Sequence, residues 1–562
     1  MLSWFPRLVA LVLMALAGPL LAADYAEVTD DGKGAVATVQ PLATAAAMEA
    51  YAQGGNAVDA AVAAALTLGV VDGHNSGIGG GLFALIHWAD GTVEAVDGRE
   101  MAPGKAHRDM YVKEGEYRPA LSKRGPLAVG IPGSIAAFDY LLKKGGQQSF
   151  ARHLNRAADL AENGFPIDGI FARRLQRHAE DLAEFPGTAA IFLDAQGQPW
   201  PAGHSLQQKD LATTYRAIAE QGTEYFYGGG FAKAVGDWMM QHGGLITRED
   251  FSGYELLIRD PVVSEYRGYT VYGFPPPSSG GVHIAQMLNM LEGFELDELS
   301  EVDRYHLLAE VMKLAFADRA HWLGDPAFAD VPKGLISEAY ARTLRERISL
   351  QNSADVSGHS TPPQSREELF GKHTTHIATA DKDGNWVAIT TTVNTNFGSK
   401  VVVPGTGVIL NNQMDDFSAQ PGEPNAYGLV GAEANSIAPG KRPLSSMSPT
   451  LLTRKGKPVL TLGAAGGPTI ITQVLQTMVN SIDLDMSLGD AVGMTRVHHQ
   501  WRPDHLFVEK TMAAPVRDGL KAKGHHLRTL GDYGSTQAIG LDEKGEFISV
   551  AEPRLRERNR LE

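Results

Sequence analysis

A threonine at position 374 stands where a long polar segment meets a strand hairpin. Residues 351–372 are rich in Ser, Gly, Pro and Glu and have no apolar period, which predicts an exposed loop or a mobile segment. The runs 376–380 and 386–393 then read as strands, separated by the turn-forming sequence at 381–385. The threonine is therefore expected at the border between a loop and a sheet.

The hairpin predicts which residues face one another. If the loop takes five residues, Ala380 pairs with Trp386. Counting outward along antiparallel strands then places Thr374 opposite Thr392, with Asn394 on the same face two residues further on. A tighter turn would shift this pairing by one residue. Threonine is also a good β former, so the pairing alone assigns no role to these hydroxyls.

Other frames for nucleophilic or metal chemistry are missing from the sequence. It has no Gly-x-Ser-x-Gly elbow, no Gly-x4-Gly-Lys loop and no cysteine. His498, His499 and His505 could suggest a metal, but their spacing matches no zinc-binding helix, which favours surface or structural roles. No metal or other cofactor is expected.

Helices and strands on both sides must position these groups. A helix over 41–53 should stop at Gly54 and Gly55, and Asn56 should cap a second helix over 57–70. That second helix is apolar almost all round, which predicts that it is buried. A glycine-rich stretch then leads to a short strand over 82–87.

The remaining patterns divide the chain in two. Residues from about 150 to 345 read as mainly helical, with examples at 307–323 and 338–348. Near the end, a strand over 459–462 runs into a glycine-rich turn, and a proline after that turn suits the first turn of a helix over 470–479.

Composition limits the class of protein. The chain has 562 residues, of which 43% are hydrophobic and 20% charged, as in ordinary globular proteins. A net charge of −15 without basic blocks argues against nucleic-acid binding. Arg7, the apolar run 8–16 and the small residues Ala22 and Ala23 predict a signal peptide over 1–23 and a periplasmic or secreted product. A retained membrane anchor is the alternative.

Eight short motifs are spread over nearly the whole mature chain: GNAVDAA at 55–61, REMAP at 99–103, PPPSSGG at 275–281, TTH at 374–376, NTNFG at 394–398, LNNQMDDF at 410–417, RPLSSMSPT at 442–450 and GG at 466–467. Together, and in this order, they resemble the motifs of the γ-glutamyltransferase (glutathione hydrolase) family. The resemblance implies an α+β fold, the αββα four-layer sandwich of N-terminal-nucleophile hydrolases. It also implies an inactive precursor that cuts itself between His373 and Thr374.

Cleavage would give a large subunit, 24–373, and a small subunit, 374–562, which stay together as a heterodimer. The new terminal α-amine of Thr374 could act as the base for its own hydroxyl, because free α-amines titrate at about 7.7–8.0. By the same resemblance Thr392 orients the nucleophile. The backbone N–H groups of Gly466 and Gly467 are suited to an oxyanion, since glycine allows close backbone approach at a helix start.

The resemblance further implies residues that bind the glutamyl group of a substrate such as glutathione. The implied set is Arg99, Ser445 and Ser446 for the α-carboxylate, Asp416, Asn394 and Gln413 for the α-ammonium, and Tyr427 in a lid loop. Water, amino acids or peptides would accept the γ-glutamyl group.

Two alternatives stay open. A β-lactam side-chain acylase of the same family would take a glutaryl group, which lacks the ammonium that Asp416 would bind; this residue therefore favours γ-glutamyl substrates. A non-catalytic exported binding protein would keep the fold without the chemistry. The presence of Thr374, Thr392, Asp416 and the two glycines Gly466 and Gly467 argues against it.

Overall fold

The computed structural model describes residues 24–362, 375–531 and 534–559. Two antiparallel sheets form its centre. The first has seven strands, in spatial order Ala26–Val28, Gly34–Ala37, Thr375–Asp381, Trp386–Thr392, Gly81–His87, Val93–Gly98 and Leu257–Arg259. The second has six, in spatial order Val262–Tyr266, Tyr269–Gly273, Thr450–Arg454, Lys457–Gly463, Gln537–Leu541 and Phe547–Ala551.

Helices cover the outer face of each sheet. On the first sheet these include Pro41–Ala52, Ala57–Val71, Ser134–Gly145 and, behind them, Phe150–Asn163. On the second they include Gly280–Leu291, Thr469–Ile482 and, behind them, Glu301–Trp322. The other α-helices are Ala120–Lys123, Gly169–Ala183, Pro186–Phe192, Lys209–Gln221, Thr223–Tyr227, Gly230–His242, Arg248–Ser252, Glu338–Arg345, Leu488–Gly493, Ala514–Ala522 and Pro553–Asn559.

Three smaller strand groups lie outside the two large sheets. They are Val112–Lys113 with Glu116–Tyr117, Phe165–Pro166 with Ser205–Leu206, and Val497–His498 with Leu506–Glu509 and Leu527–Leu530.

The two large sheets pack face to face and share a core. Alternate residues of their strands point inward, as the period of two requires. Phe83 of the first sheet stacks on Phe274 beside the second, with ring centroids 4.1 Å apart, and Trp386 and Ile539 belong to the same buried cluster. The arrangement of helix, sheet, sheet and helix confirms the predicted αββα sandwich.

The predicted hairpin has the predicted register. Ala380 pairs with Trp386, and the first described residue of the strand, Thr375, pairs with Thr391. His373 and Thr374 lie outside the described residues, so the pairing of Thr374 with Thr392 stays a prediction. The described part of the preceding polar segment, 351–362, contains neither helix nor strand.

The region read as mainly helical contains strands as well. Leu257–Arg259 is an edge strand of the first sheet and Val262–Tyr266 an edge strand of the second, so a single short connection passes between the two sheets. The turn that follows has positive φ at Arg267 (49°) and Gly268 (79°). Such short edge strands alternate over too few residues to stand out from the surrounding helical pattern.

The helix Ala57–Val71 is buried along its whole length, as predicted. The carboxylate of Asp59 in its first turn connects the start of the helix to residues 147–148. Asn56 caps it, and Asp59 accepts the Asn56 N–H in return at 3.0 Å. Asp59 also accepts the N–H groups of Gln147 (2.8 Å) and Gln148 (2.9 Å). Burial disfavours the charged form of Asp59 and by itself would raise its pKa. The hydrogen bonds that Asp59 accepts, of which that of His153 has the largest effect, outweigh burial and lower the pKa of Asp59.

None of the helices in the described ranges has the length and apolar character needed to cross a membrane.

We expect Asp59→Ala to lower the free energy of unfolding by about 2–4 kcal/mol, because it leaves buried N–H groups without acceptors. Denaturant unfolding followed by circular dichroism measures the loss. Asp237→Ala, which removes a half-exposed carboxylate, is the matched control. Equal midpoints for the two variants would contradict the assignment.

Candidate active site

The end of the hairpin marks the centre of the site. Thr375 is buried, and its hydroxyl donates to a carboxylate oxygen of Asp72 at 3.1 Å. On the neighbouring strand, the buried Thr392 hydroxyl accepts the N–H of Asn394 at 2.7 Å. The strand stops at Thr392, and Asn394 takes a positive φ of 78° instead of continuing the extended spacing that the sequence predicts. This bend carries the backbone out of the sheet at the residue that the resemblance places in the site.

Gly466 and Gly467 form the turn between the strand Lys457–Gly463 and the helix Thr469–Ile482, with Pro468 at the helix N-cap. Their φ angles, 128° and 65°, lie in the region that only glycine adopts freely. A Cβ on Gly466 would stand 2.6 Å from the Thr469 hydroxyl. The predicted strand, glycine turn and helix are therefore confirmed, and the tight turn explains the residue types.

The predicted recognition charges meet in one buried ion pair. The Arg99 guanidinium donates to Asp416 at 2.7 Å and to Glu100 at 3.3 Å, and all three side chains are inaccessible to solvent. Its Nε donates to the carbonyl of Pro443 at 3.2 Å. Gln413 lies one 3₁₀ turn before Asp416, with its amide nitrogen 3.5 Å from the carboxylate. Burial raises the pKa of Glu100 to about 7, despite the attraction of Arg99.

The two predicted serines lie together, and both are buried. The Ser445 hydroxyl accepts the Met447 N–H at 3.1 Å, and the Ser445 carbonyl accepts the hydroxyl of Ser279 at 2.6 Å. The hydroxyl of Ser446 makes no hydrogen bond to any described residue. A buried hydroxyl without a partner is unfavourable by itself and suits a group that binds a ligand.

Tyr427 reaches the site from a short loop. Its hydroxyl donates to the backbone carbonyl of Asn394 at 3.0 Å. The neighbouring Ala426 N–H donates to Asp415 at 2.9 Å, and Gln500 donates to the Tyr427 carbonyl at 3.3 Å. The loop tip is thus fastened to the chain beneath it.

These elements surround a cavity of about 500 Å³. Its lining contains Asp72, Asn394, Tyr427, Gly466 and Gly467. Arg99, Gln413, Asp416, Ser445 and Ser446 are not part of the described lining. Two lining residues, Asn394 and Tyr427, link the cavity to the buried recognition charges. The Tyr427 hydroxyl donates to the Asn394 carbonyl, and Tyr427 lies within electrostatic range of Asp416.

Two residues near the site were not identified from the sequence. Asp72 ends the buried apolar helix, and an acid at that position is the signal that could have found it. Arg319 is buried in the helix Glu301–Trp322 and donates to Ser279 at 3.2 Å. Burial lowers the pKa of Arg319 to about 9, against the opposing effect of Asp416. Only its tertiary contacts distinguish it from the other charged residues of that helix.

Asp72 has an unusual environment for a carboxyl group. Burial raises the pKa of Asp72 to about 7, although hydrogen bonds from Thr375 and Asn75 oppose the shift. His74 lies 3.4 Å away, and burial lowers its pKa to about 3, so the imidazole is neutral near pH 7. Asp72 is therefore a cavity group that titrates close to neutral pH.

The histidines singled out from the sequence have structural contacts. His498 is buried between Thr472 (3.0 Å) and Gln500 (3.1 Å), and His499 lies 3.2 Å from Asp504. His505 is half-buried. Their contacts are those of structural residues.

A different group, His306, Glu310 and His525, has donor atoms within 4.8 Å of one another. His306 and His525 bond to each other at 2.7 Å, and Lys313 lies 2.9 Å from Glu310, so protein contacts already use these donors. None of the three is in the described lining of the cavity.

Solved structures with this architecture define the class. The cephalosporin acylase of Bacillus halodurans is 30% identical and superposes with a TM-score of 0.84, over 96% of this chain and 97% of that one. The γ-glutamyltranspeptidase of Helicobacter pylori is 38% identical, with a TM-score of 0.54 over 55% of this chain and 90% of that one. The fold is that of the N-terminal-nucleophile hydrolases.

Sequence comparison identifies the family. The family model described as Gamma-glutamyltranspeptidase matches residues 43–560. The glutathione hydrolase proenzyme of Escherichia coli strain K12 is 42% identical over 527 residues, which cover 93% of this chain and 90% of that protein. The acylase ACY 1 proenzyme of Pseudomonas sp. strain V22 is 39% identical over 531 residues, 92% of each chain. The chain belongs to the γ-glutamyltranspeptidase family.

We expect Asp72→Asn to change how stability depends on pH. A carboxyl whose pKa rises from 3.8 to about 7 on folding binds its proton more tightly in the folded state. The wild type therefore loses stability as pH rises from about 4 to about 7, and the variant lacks this loss. The melting temperature of the variant minus that of the wild type should grow more positive from pH 5 to pH 8. Asp518→Asn, at an exposed carboxyl, is the control; a pH-independent difference at Asp72 would contradict the shift.

Proposed function

We propose that this protein is an autoprocessing γ-glutamyltransferase that cleaves γ-glutamyl amides such as glutathione. The observation that carries the proposal is the buried pair of Arg99 and Asp416, which lies within electrostatic range of Tyr427, a residue of the cavity lining. One fixed positive and one fixed negative charge match a group that carries both a carboxylate and an ammonium, as the α-carbon of a γ-glutamyl group does. The names of the glutathione hydrolase relatives agree with this substrate.

The proposed nucleophile is Thr374, and the precursor is proposed to cut itself between His373 and Thr374. Thr375, which follows directly, begins a strand that pairs with 386–391 from its first residue and with 34–37 from Ala378 onward, so the nucleophile would be held at the end of a rigid sheet. The new α-amine takes the hydroxyl proton as the oxygen attacks the γ-carbonyl. Thr392 would orient that hydroxyl.

Attack produces a tetrahedral oxyanion, which the N–H groups of Gly466 and Gly467 would stabilise. When the C–N bond breaks, the α-ammonium of Thr374 returns its proton to the departing amine, and a γ-glutamyl ester remains. Water then gives glutamate, and the amine of an amino acid or peptide gives a new γ-glutamyl amide. In both cases the ester oxygen of Thr374 recovers its proton.

For recognition we assign Arg99, Ser445 and Ser446 to the α-carboxylate, and Asp416, Asn394 and Gln413 to the α-ammonium. Without a substrate, Arg99 and Asp416 pair with each other at 2.7 Å, so neither buried charge is unpaired. A bound substrate would replace this ion pair by two, one between Arg99 and the α-carboxylate and one between Asp416 and the α-ammonium. Tyr427, bonded to Asn394, would form the cover of the site.

The proposed products of cleavage are residues 24–373 and 374–562, with 1–23 removed as an export signal that leaves the protein in the periplasm or outside the cell. Both sheets combine strands from the two sides of position 374. In the first sheet five strands precede this position and two follow it, and in the second sheet two precede it and four follow it. Such interleaved pairing supports a heterodimer that stays together after the cut, because separating it would break the ladders of both sheets.

An acylase is the second candidate, since acylase relatives match the chain at 39% identity and with a TM-score of 0.84. A glutaryl group has no ammonium, and binding it would leave Asp416 buried beside an apolar methylene. The γ-glutamyl assignment is therefore preferred over the acylase. A non-catalytic binding protein would give a single uncut band on a denaturing gel.

Thr374→Ala should remain an uncut and inactive precursor, because the hydroxyl that attacks is missing. Denaturing gels and mass spectrometry of the new amino terminus test this, with Thr453→Ala, in a strand of the second sheet, as the control that should still be cut. Two fragments from Thr374→Ala would refute the nucleophile.

Asp416→Ala should lower kcat/KM for γ-glutamyl-p-nitroanilide by a factor that corresponds to a loss on the order of 2–5 kcal/mol, since the ammonium loses a buried partner. Asp109→Ala, at an exposed carboxylate, is the control. Self-cleavage, measured on the same samples, reports whether the variant folds. An unchanged kcat/KM would remove Asp416 from the site.

A further inference from the structure

One wall of the cavity is formed by arginines that the glutamyl site does not use. Arg173, Arg174 and Arg177 line it from the helix Gly169–Ala183, and Arg558 lines it from the helix Pro553–Asn559. The same cavity contains Gly466 and Gly467. A ligand that fills this space would therefore touch both the proposed oxyanion donors and the arginines.

Helical geometry places the three arginines on one side of their helix. Positions 173 and 177 are four residues apart, and 174 and 177 are three apart, so neighbouring side chains meet. The opposite side of the helix is apolar and buried, with Phe171, Leu175 and Leu182. Like charges at this spacing destabilise a helix slightly, and together they give this side of the helix a positive potential that suits an anion.

The described lining contains four arginines and two acids. Asp168 and Asp72 are the carboxyls in the described lining. Asp168 caps the helix and accepts the Phe171 N–H at 2.7 Å, and burial raises its pKa. Asp72 is bonded to Thr375. No carboxylate of the described residues lies within 4.0 Å of Arg173 or Arg177, and both are exposed residues of the lining. Arg173 donates a hydrogen bond to the backbone carbonyl of Arg558.

A γ-glutamyl peptide carries one more negative group than the glutamyl site binds. Its α-carboxylate and α-ammonium are used by the site proposed above, and the carboxylate at the far end of the peptide remains. Arginine is suited to that group, because its planar fork donates two parallel hydrogen bonds to a carboxylate.

We infer that Arg173, Arg174 and Arg177 form a subsite for the C-terminal carboxylate of the departing peptide. The same subsite would bind the carboxylate of an amino acid or peptide acceptor, because the acceptor amine must attack from the position that the departing amine leaves. The inference rests on the proposed function. It specifies peptides with a free carboxyl end as preferred substrates over γ-glutamyl amides of uncharged amines.

The experiment compares glutathione with its C-terminal glycinamide, which differs only in the charge of the terminal group. The ratio of kcat/KM for the acid to that for the amide is measured for the wild type, Arg177→Gln, the triple variant R173Q/R174Q/R177Q and Arg342→Gln. Arg342 is exposed outside the cavity lining and is the matched control. We expect the triple variant to lower the ratio about tenfold or more, and Arg177→Gln to lower it less.

Charge reversal gives an independent outcome. Arg177→Glu should favour the amide over the acid, and the wild-type preference should weaken as ionic strength rises. Circular dichroism melting and the extent of self-cleavage report whether each variant folds. If the triple variant does not fold, the single variant Arg177→Gln, at an exposed position, tests the subsite in its place.

The outcomes separate the two proposals. If the wild type cleaves neither substrate, the proposed function fails. If it cleaves both and the ratio is the same in the wild type and in every arginine variant, the subsite is overturned.

Discussion

The antiparallel pairing of the strand Thr375–Asp381 on both of its sides is the constraint on which the site depends. Gly34–Ala37 pairs with one edge and Trp386–Thr392 with the other. The Tyr51 hydroxyl adds hydrogen bonds to the carbonyls of Ala35 (3.1 Å) and Ala380 (2.9 Å). With its register set in this way, the strand brings Thr375 against Asp72 and points its start at the cavity. A site that needs sub-ångström positioning is best built on such an element.

Buried charge is the second organising feature. Arg99, Glu100 and Asp416 form one cluster, and Asp97 with Arg442 (2.7 Å) and Arg259 (2.7 Å) forms another beside it. Each charge in such clusters must be paired, because an isolated ion in the interior costs several kcal/mol. The pairs connect chain regions far apart in sequence and fix the orientation of Arg99 and Asp416, the residues proposed for recognition.

Two kinds of charged environment lie at and near the cavity. The buried pair of Arg99 and Asp416, outside the described lining but within electrostatic range of Tyr427, would suit a small zwitterionic group. In the lining, exposed arginines suit an anion that can vary in size. The glycine turn at 466–467 belongs to the same lining as the arginines.

Much of this protein follows from local sequence alone. The cap at Asn56, the buried helix after it, the hairpin register and the glycine turn before Thr469–Ile482 all result from interactions within a few residues, and the structure contains each of them. The recognition residues were reached only through resemblance to a family, since nothing local marks Arg99 or Asp416 as charged groups of a site.

Other features depended on contacts between distant parts of the chain. Arg99 and Asp416 pair across 317 residues, and the Thr375–Asp72 contact spans 303. The strands at 257–273, the contacts of Arg319 and the arginine wall likewise became visible only in three dimensions. Local patterns encode hydrogen bonding and periodicity along the chain. Which charges are buried together, and which groups share a cavity, depends on how the finished sheets and helices pack.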